Sequence, residues 1–316
     1  MTARTEHAAP GPLPAAGAAA ARVPVARPVI GIATYRRPDQ LAQLLRSVGA
    51  SVGAARPRIV VVDNDPEGSA AHVGPEAGYA HEYLHEPTPG IAAARNRILG
   101  AVGPDDDALI FVDDDEEVPA HWYPTLVAAA GDADVVSGPV VPRYPDDVPR
   151  WIVRGRFFER VRQRSGTPTR YPATGNVLLR AEALHALDGE WFSAAFSTTG
   201  GSDSELFERL RSRGVGLVWC DEAEVYEDVP RDRATARWLW RRNVRLGNVT
   251  TRIRFARTSR PVVALLGAGR IVAGTALSLL DLVRHGHLTR ERATHVPKGW
   301  GMLRATLGTH VEEYRR

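Results

Sequence analysis

Short apolar runs that alternate with helical segments are the feature of this chain that most constrains its fold. Runs rich in Val and Ile occupy residues 29–33, 58–62 and 108–112, and Asp, Gly and Pro bound them. Such runs are typical of strands buried on both faces. Residues 38–48 and 90–99, which lie between the runs, are helix candidates. Strands that alternate with helices predict an α/β domain with a mostly parallel central sheet.

Two of these runs stop at an aspartate. The segment IVVVDND places Asp63 at the end of one predicted strand, and LIFVDDDEE places Asp113 at the end of another. Open α/β sheets bind ligands outside the carboxyl ends of their strands, near the point where strand order reverses. The two acidic strand ends therefore predict a ligand site at this edge.

The second acidic strand end begins a run of five acids at residues 113–117. Like charges ~4 Å apart repel by about 1 kcal/mol in water and several-fold more near a protein surface, so a compensating charge is expected. Mg²⁺ or Mn²⁺ would supply it, because these hard cations prefer oxygen ligands. Strand alternation would place Asp113 and Asp115 on one side and Asp114 on the other. Alternatively, the acids stabilise the positive end of the following helix.

The second half of the chain is less regular. Residues 171–179 and 215–220 are predicted strands, and Ser202–Ser212 and residues 234–246 are predicted helices. We therefore predict three parts in the chain. They are a disordered leader over residues 1–27, an α/β domain over residues 28–250, and a helical extension over residues 251–316.

Composition narrows the class of protein. The only cysteine is Cys220, so no disulfide can form within the chain, and a reducing cytoplasm suits it. The formal net charge is +3, which does not suggest a globally basic nucleic-acid binder. The leader is rich in Ala, Pro and Gly and lacks the uninterrupted apolar core of a signal peptide.

An ordered set of segments resembles family 2 glycosyltransferases, especially the subgroup of succinoglycan-type exopolysaccharide assembly. The segments are IGIATYRRPDQLAQLLRSV, VVVDNDPEGSA, GIAAARNRIL, LIFVDDDEE, SGPVVP, TGNVLLR and GGSDSELFERL. The resemblance covers roughly residues 29–247. It implies a GT-A fold and a metal-dependent, inverting transfer of a sugar from a nucleotide-sugar, expected to be a UDP-sugar, to a hydroxyl group.

The resemblance also assigns residues to the nucleotide and the metal. The nucleotide set contains Thr34, Tyr35 and Arg37 in the loop after the first strand, Asp63 on the base, and Arg95 and Asn96 on a helix that lines the pocket. Asp113 and Asp115 match the DXD motif, whose second acid coordinates Mn²⁺ or Mg²⁺ while the first lies near the ribose. Glu227 and Asp228 stand where the family often has a third, histidine ligand.

The segment GGSDSELF carries the implied catalytic base. Asp203 matches that base, Ser202 replaces a glutamate that often precedes it, and Glu205 is the competing candidate. An alternative role for Asp203 is to stabilise the helix N-terminus, with Ser202 as the cap. Gly175 and Asn176 in TGNVLLR are expected near the sugar or the acceptor.

Arginines beside Trp238 and Trp240 follow this segment. Arginine binds phosphate with two parallel hydrogen bonds, so Arg242 and Arg245 are predicted to hold the leaving diphosphate. Most of the other arginines are expected to form a solvated face. No RNA-recognition signature accompanies them, so we expect no nucleic-acid partner.

An apolar segment over residues 261–283 contains Arg270, which leaves each uninterrupted half shorter than the ~20 residues of a spanning helix. Arginines near such a segment suit an anionic membrane surface. The segment is therefore expected either to lie in the membrane interface or to pack as a buried helix on the domain. The location predicted is the cytoplasm, with contact at the inner face of the plasma membrane.

The sequence thus predicts a glycosyltransferase whose donor is a nucleotide-sugar and whose acceptor is a glycan, a lipid-linked molecule or a small molecule. A nucleotidyltransferase is a competing enzyme class, but the turn ATYRRPD lacks the glycines that such an enzyme should have. A catalytically inactive sugar-nucleotide-binding or scaffold protein is a competing class of another kind. The intact acidic motif and Asp203 argue against it.

Overall fold

The structure is a computed structural model, which describes residues 23–74, 79–131, 133–169, 172–189, 191–196 and 200–309. Most of the predicted leader therefore lies outside the described residues. Its last part, residues 23–27, lies on the domain, because the backbone N–H groups of Ala26 and Arg27 donate to the carboxylate of Asp107 at 2.6 and 3.0 Å. The prediction of a leader that is disordered as far as residue 27 is wrong at this end.

Ten strands and ten α-helices make up the described part of the chain. The strands are β1 (Pro28–Thr34), β2 (Arg58–Asp63), β3 (Glu82–His85), β4 (Ala108–Val112), β5 (Glu116–Glu117), β6 (Val135–Ser137), β7 (Val140–Arg143), β8 (Asn176–Arg180), β9 (Leu217–Trp219) and β10 (Val225–Asp228). The helices are α1 (Pro38–Val52), α2 (Ile91–Gly100), α3 (Trp122–Ala129), α4 (Arg150–Arg154), α5 (Ala181–His185), α6 (Ser202–Ser212), α7 (Ala236–Arg254), α8 (Arg260–His285), α9 (Arg290–Ala293) and α10 (His295–Thr306).

The central sheet has seven strands in the order β3-β2-β1-β4-β8-β6-β9. The first four strands are mutually parallel, and β8 runs antiparallel to β4 and β6. Apolar side chains from both faces of the sheet form two buried clusters, one around α1 and α3 and the other around α2 and α6. The predicted α/β fold with a mostly parallel sheet is confirmed.

The parallel strands bring their carboxyl ends to one edge. Thr34 at the end of β1 pairs in register with Asp63 at the end of β2, and β4 ends beside them immediately before Asp113. A second sheet, in the order β5-β10-β7, lies beyond this edge and pairs Glu116 with Glu227. Residues more than a hundred positions apart thus meet at the acidic strand end.

The second half of the chain departs more from the predicted bounds. Helix α6 has the predicted bounds, whereas β8 begins five residues later than predicted, at Asn176, and α7 continues to Arg254. Because α7 continues past residue 250, the predicted boundary between domain and extension falls inside a helix. The predicted division of the chain stays a prediction in its other respects.

The last helices form a layer with α7. Gly247 of α7 lies so close to α10 that a β-carbon there would stand 2.0 Å from the carbonyl oxygen of Lys298. Helix α8 is continuous over 26 residues, and among the described residues it is the one helix long and apolar enough to cross a membrane. Arg270 interrupts the apolar run but not the helix, in agreement with the single helix predicted over residues 261–283. A single charged side chain does not break a helix, because it projects from one face and leaves the backbone hydrogen bonds intact.

Candidate active site

A cleft of about 980 Å³ lies between the edge of the central sheet and the layer formed by α7, α8 and α10. Its walls bring together five predicted site residues from distant parts of the chain. They are Arg95, Asp113, Gly175, Asp203 and Arg245. Arg160, which the sequence did not single out, also lines the cleft. Acids and bases thus face one another across a space large enough for a nucleotide and a sugar.

We call Asp113, Asp114, Asp115, Glu116 and Glu227 the acidic edge. Arg37 compensates part of its charge, since its Nη1 lies 3.0 Å from Asp114 and 2.7 Å from Asp115. The hydroxyl of Thr34 donates to Asp114 at 2.8 Å. Burial still raises the pKa of Asp114 to about 6. Thr34 and Arg37, both predicted to bind the nucleotide, therefore tie the first loop to the acidic edge.

The predicted alternation of the three aspartates is wrong. Strand β4 ends at Val112, and the aspartates occupy a turn in which Asp114 and Asp115 both contact Arg37. Asp113 faces the cleft and accepts a hydrogen bond from Arg95 at 3.2 Å. A turn does not keep the two-residue periodicity of a strand, so strand geometry could not place these side chains.

Glu116 is buried behind Asp113. Its carboxylate accepts the backbone N–H of Asp113 at 3.0 Å, and burial together with the Asp113 charge holds the pKa of Glu116 well above its ordinary value. Gly175 passes so close that a β-carbon there would lie 2.5 Å from Glu116 and 3.0 Å from Asp113. Only glycine lets this backbone approach the acids, which gives the predicted Gly175 a defined place in the wall.

Glu227 completes the acidic edge from the second sheet. Burial raises its pKa, and the charges of Asp115 and Asp113 raise it further, while Arg160 at 3.4 Å opposes them. The charges of Asp113 and Asp115 thus reach Glu227 across the acidic edge. No sequence pattern predicted Arg160, since the loop that carries it has no periodicity.

A divalent cation suits this edge by donor chemistry. Asp113, Asp115 and Glu227 offer only oxygen ligands, which Mn²⁺ and Mg²⁺ prefer. The described residues contain no preformed group of three or more side chains that could hold a metal ion, and Arg37 engages Asp115. A cation would therefore use one or two of these acids and take its remaining ligands from a bound diphosphate and water.

Asp63 lies beneath the loop that follows β2. Its side chain is fully buried, and it accepts hydrogen bonds from the backbone N–H groups of Asp65 and Ala70 at 2.9 and 2.7 Å and from the hydroxyl of Tyr83 at 3.2 Å. Asp63 thus holds the loop in shape. Its predicted contact with the base stays a prediction.

Helix α6 presents Asp203 and Glu208 to the cleft and turns Glu205 away. Asp203 lines the cleft, whereas Glu205 forms an ion pair with Arg209 at 2.6 Å and is not among the residues of α6 that line it. Gly201, with φ of 94°, caps this helix, and Ser202 is its buried first residue. The predicted capping role of Ser202 is therefore wrong, and Glu205 is not brought to the substrate side.

The profile of glycosyl transferase family 2 matches residues 29–188 of this chain. The chain belongs to that family. A curated relative, the succinoglycan biosynthesis protein ExoM of Rhizobium meliloti (strain 1021), is 36% identical over 233 residues, which cover 71% of this chain and 74% of the relative. The chain is therefore a glycosyltransferase related to a protein of exopolysaccharide biosynthesis.

Solved structures share the fold of this family 2 glycosyltransferase. S. aureus TarS superposes with a TM-score of 0.54 at 13% identity over 87% of this chain and 55% of TarS. A shorter form, TarS 1–349, gives 0.51 at 14% identity over 90% of this chain and 92% of that form. GalNAc-T7 with UDP, GalNAc and Mn²⁺ gives 0.50 at 15% identity over 72% and 48%. At these identities the likeness supports the GT-A fold alone.

Several residues that the family resemblance assigned to substrate have packing partners instead. The amide of Asn96 bonds the backbone of Phe192 in both directions, and the fully buried amide of Asn176 bonds the Trp122 indole and two backbone carbonyls. Arg242 lies over the Trp238 ring and outside the cleft wall. These contacts position neighbouring elements. Of the two arginines predicted to hold the leaving diphosphate, only Arg245 lines the cleft.

The far side of the cleft in this glycosyltransferase is cationic. We call Arg245, Arg270, His295 and Lys298, which line it from α7, α8 and α10, the basic wall. Sequence reasoning found only Arg245 in this role. One signal was present, because Lys298 is the only lysine among the 40 basic residues of the chain. In the sequence, Arg270 stands out only as a charge within the apolar run over residues 261–283.

Proposed function

We propose that this family 2 enzyme transfers a sugar from a UDP-sugar to a hydroxyl group of a cell-surface glycan or glycolipid precursor, with inversion at the anomeric carbon and with Mn²⁺ or Mg²⁺. The observation that carries the proposal is that Asp203 and Asp113 line one cleft. A base and a nucleotide-binding edge that face each other across one space suit a single in-line displacement.

The reaction balances in one step. The acceptor hydroxyl gives its proton to the Asp203 carboxylate while its oxygen forms a bond to the anomeric carbon. The bond from that carbon to the diphosphate oxygen breaks, and UDP leaves with the electron pair. Arg245 lies on the cleft wall and suits the charge that develops on the diphosphate.

Asp115, together with either Asp113 or Glu227, would hold the cation. When bound, it would neutralise charge on the leaving diphosphate. Arg37 keeps Asp114 and Asp115 in place, and Asp63 keeps the loop after β2 in shape, where the base of the nucleotide is expected. The Mn²⁺ and UDP named with the GalNAc-T7 structure support this choice of metal and donor only by analogy of fold.

The test is release of UDP from a panel of UDP-sugars by the purified full chain. We expect release with Mn²⁺ or Mg²⁺, loss of release in excess chelator, and recovery when the metal is restored. Asp115→Asn should lower this release, and the matched control Asp39→Asn, which removes an acid from the exposed start of α1, should not. Full release in excess chelator would overturn the metal dependence, and no release from any UDP-sugar would overturn the donor class.

The same proposal includes contact with the inner face of a membrane. Helix α8 exposes Leu265, Val272 and Val283 at 74%, 72% and 86% of their surface. Its opposite face packs on α10, which in turn packs on the arginine-rich helix α7. One exposed apolar face above a polar layer suits a helix that lies in the interface rather than one that spans.

Extraction from membranes separates the two arrangements. We expect alkaline carbonate or high salt to release the chain, because interfacial binding combines a limited apolar area with screened charge. Replacing Leu265 and Val272 with Ser should lower the bound fraction. The same replacement at Leu239, which is buried, would instead test stability and serves as the contrast. Extraction by detergent alone would show a spanning helix.

A further inference from the structure

Arg270 leaves α8 on the side that faces the protein. The buried residues of this helix are Val263, Gly267, Gly274 and Asp281, which define one stripe along it. Arg270 falls between Gly267 and Gly274 on that stripe and lines the cleft. The exposed apolar residues of α8 lie on the other faces. An arginine in the middle of an apolar helix therefore points into the active-site cleft and not toward the surface.

The charge of this arginine meets no acid within the described part of the chain. Within the described residues, Arg270 and Lys298 form no ion pair, and the buried Nε of Arg270 has no hydrogen-bond partner. Asp281 of the same helix behaves differently, since Arg292 lies 2.8 Å from its carboxylate and Thr289 donates to it. Among the described residues, the fold thus compensates the acid of α8 and gives the base no ion pair. Leaving a partly buried cation unpaired costs stability.

Lys298 is surrounded by positive charge from every helix packed around it. Arg242 of α7, Arg270 of α8 and Arg290 of α9 act on it, and His295 precedes it on α10. Burial first, and then these three arginines, lower the pKa of Lys298 to about 8. Cations collected in this way, in the wall of a cleft, suit an anion that comes from outside the protein.

We propose that Arg270 and Lys298 form a second anion subsite, which binds the phosphate or diphosphate of an acceptor that is carried on a lipid. The inference rests on the proposed function and names its acceptor class. Two sources could supply this anion, namely the diphosphate of the donor and that of the acceptor.

The position of the subsite favours the acceptor. The donor diphosphate is expected at the acidic edge, with the cation and Arg245, and the charges that act on Lys298 include none of the acids of that edge. Arg270 lies one turn after Leu266 on α8, and Leu266 lines the same cleft and is 46% exposed. A phosphate on Arg270 and a lipid chain that leaves the cleft along Leu266 would occupy adjacent parts of one helix face. UDP has no apolar chain that could contact the apolar residues of this helix.

The experiment compares two probes on the purified full chain. Binding of decyl diphosphate and of UDP is measured by calorimetry at pH 7, with decanol as a chain-only control. The variants are Arg270→Gln, Lys298→Gln and the charge-conserving Arg270→Lys. Arg284→Gln on the exposed end of α8 is the matched control, because it removes the same charge from the same helix outside the cleft.

We expect Arg270→Gln and Lys298→Gln each to weaken decyl diphosphate binding about tenfold, the value of one charge-assisted contact. UDP affinity should stay within about twofold, Arg270→Lys should restore most of the loss, and Arg284→Gln should change neither probe. Equal losses for both probes would show that the donor uses these residues and would overturn the proposal. Unchanged decyl diphosphate binding, or an equal loss with Arg284→Gln, would overturn it as well.

The outcome is independent of the proposed reaction. Failure of that reaction is seen as a lack of metal-dependent UDP release, an assay in which water replaces the acceptor. The binding experiment requires no turnover. An enzyme that releases UDP but binds decyl diphosphate no better than decanol would keep the proposed function and lose the subsite.

Discussion

The acidic edge and the basic wall carry opposite charges on two sides of one cleft, and they differ in how that charge is compensated. At the acidic edge, Arg37 bonds Asp114 and Asp115, and Arg95 bonds Asp113. On the basic wall, Arg270 and Lys298 have no ion pair among the described residues. Within the described residues, the fold thus compensates part of the charge of the acidic edge and leaves Arg270 and Lys298 without an ion pair.

The difference has a physical consequence for how each side meets its ligand. The acidic edge is ordered before a nucleotide arrives, and a cation that binds there competes with Arg37 for Asp115. Arg270 and Lys298 of the basic wall keep their charge at a cost in stability, so an incoming anion meets two cations that are already partly desolvated and that form no ion pair within the described part of the chain. The acidic edge is thus preorganised by internal ion pairs, whereas the basic wall offers charge to a ligand.

The largest expected effect comes from the acid that faces the cleft between the two regions. Asp203→Asn keeps the shape of the side chain and removes its basicity, so turnover should fall by ~10²–10⁴-fold while UDP affinity stays nearly unchanged. Glu205→Gln is the matched control, since Glu205 is paired with Arg209 and should cost far less. Turnover and UDP affinity are measured for both. A dead Glu205→Gln and an active Asp203→Asn would reverse the assignment.

Removing the internal counter-charge would break the acidic side of the comparison. Arg37→Gln leaves the buried Asp114 without its cation, so the free energy of unfolding should fall by about 2–3 kcal/mol at pH 8. The pKa of Asp114 is about 6, above its unfolded value, so stability from this group falls as pH rises through 6. The loss in the variant should therefore shrink at pH 5. Urea unfolding at both pH values checks this, and an equal loss at both would contradict it.

Asp63 sharpens the comparison at the loop after β2. Asp63→Ala should weaken UDP binding by about tenfold, because the loop or the base loses a hydrogen-bond partner. The turnover rate of the bound donor should fall by a smaller factor. Measuring UDP and CDP together separates the two causes. Equal losses indicate that Asp63 orders the loop, and a loss confined to UDP indicates contact with the base. Unchanged affinity for UDP would contradict both.

The smallest effect tests whether the basic wall costs stability. The pKa of Lys298 lies near 8, below its ordinary value, so the fold disfavours its charged form, and the cost is present below pH 8. Lys298→Met should raise Tm at pH 7 by ~2–4 °C, with less gain at pH 9.5. Lys298→Arg is the control and should give no gain. Thermal unfolding measures all three, and a lower Tm for Lys298→Met would contradict the expectation.

Local pattern was sufficient for the elements of the first half and for α6. The apolar runs predicted β1, β2 and β4 to within a residue or two, because strands buried on both faces must be apolar throughout. Asp203, which reaches the cleft from α6, was also predicted from its motif. The packing roles of Asn96 and Asn176 could not be predicted in this way. A motif reads the same whether its asparagine side chain contacts a ligand or the protein backbone.

The sequence by itself determined the fold class, the family, the acidic strand ends and the acid of α6, since each depends on residues that are neighbours in the chain or on one strand. Only the tertiary structure decided which charges are paired. Arg37 meets Asp114 across 77 positions, and Glu227 meets Glu116 through the pairing of β10 with β5. It also decided that Arg270 faces the cleft, because the direction of a side chain on a helix has meaning only once the partner of each face is known.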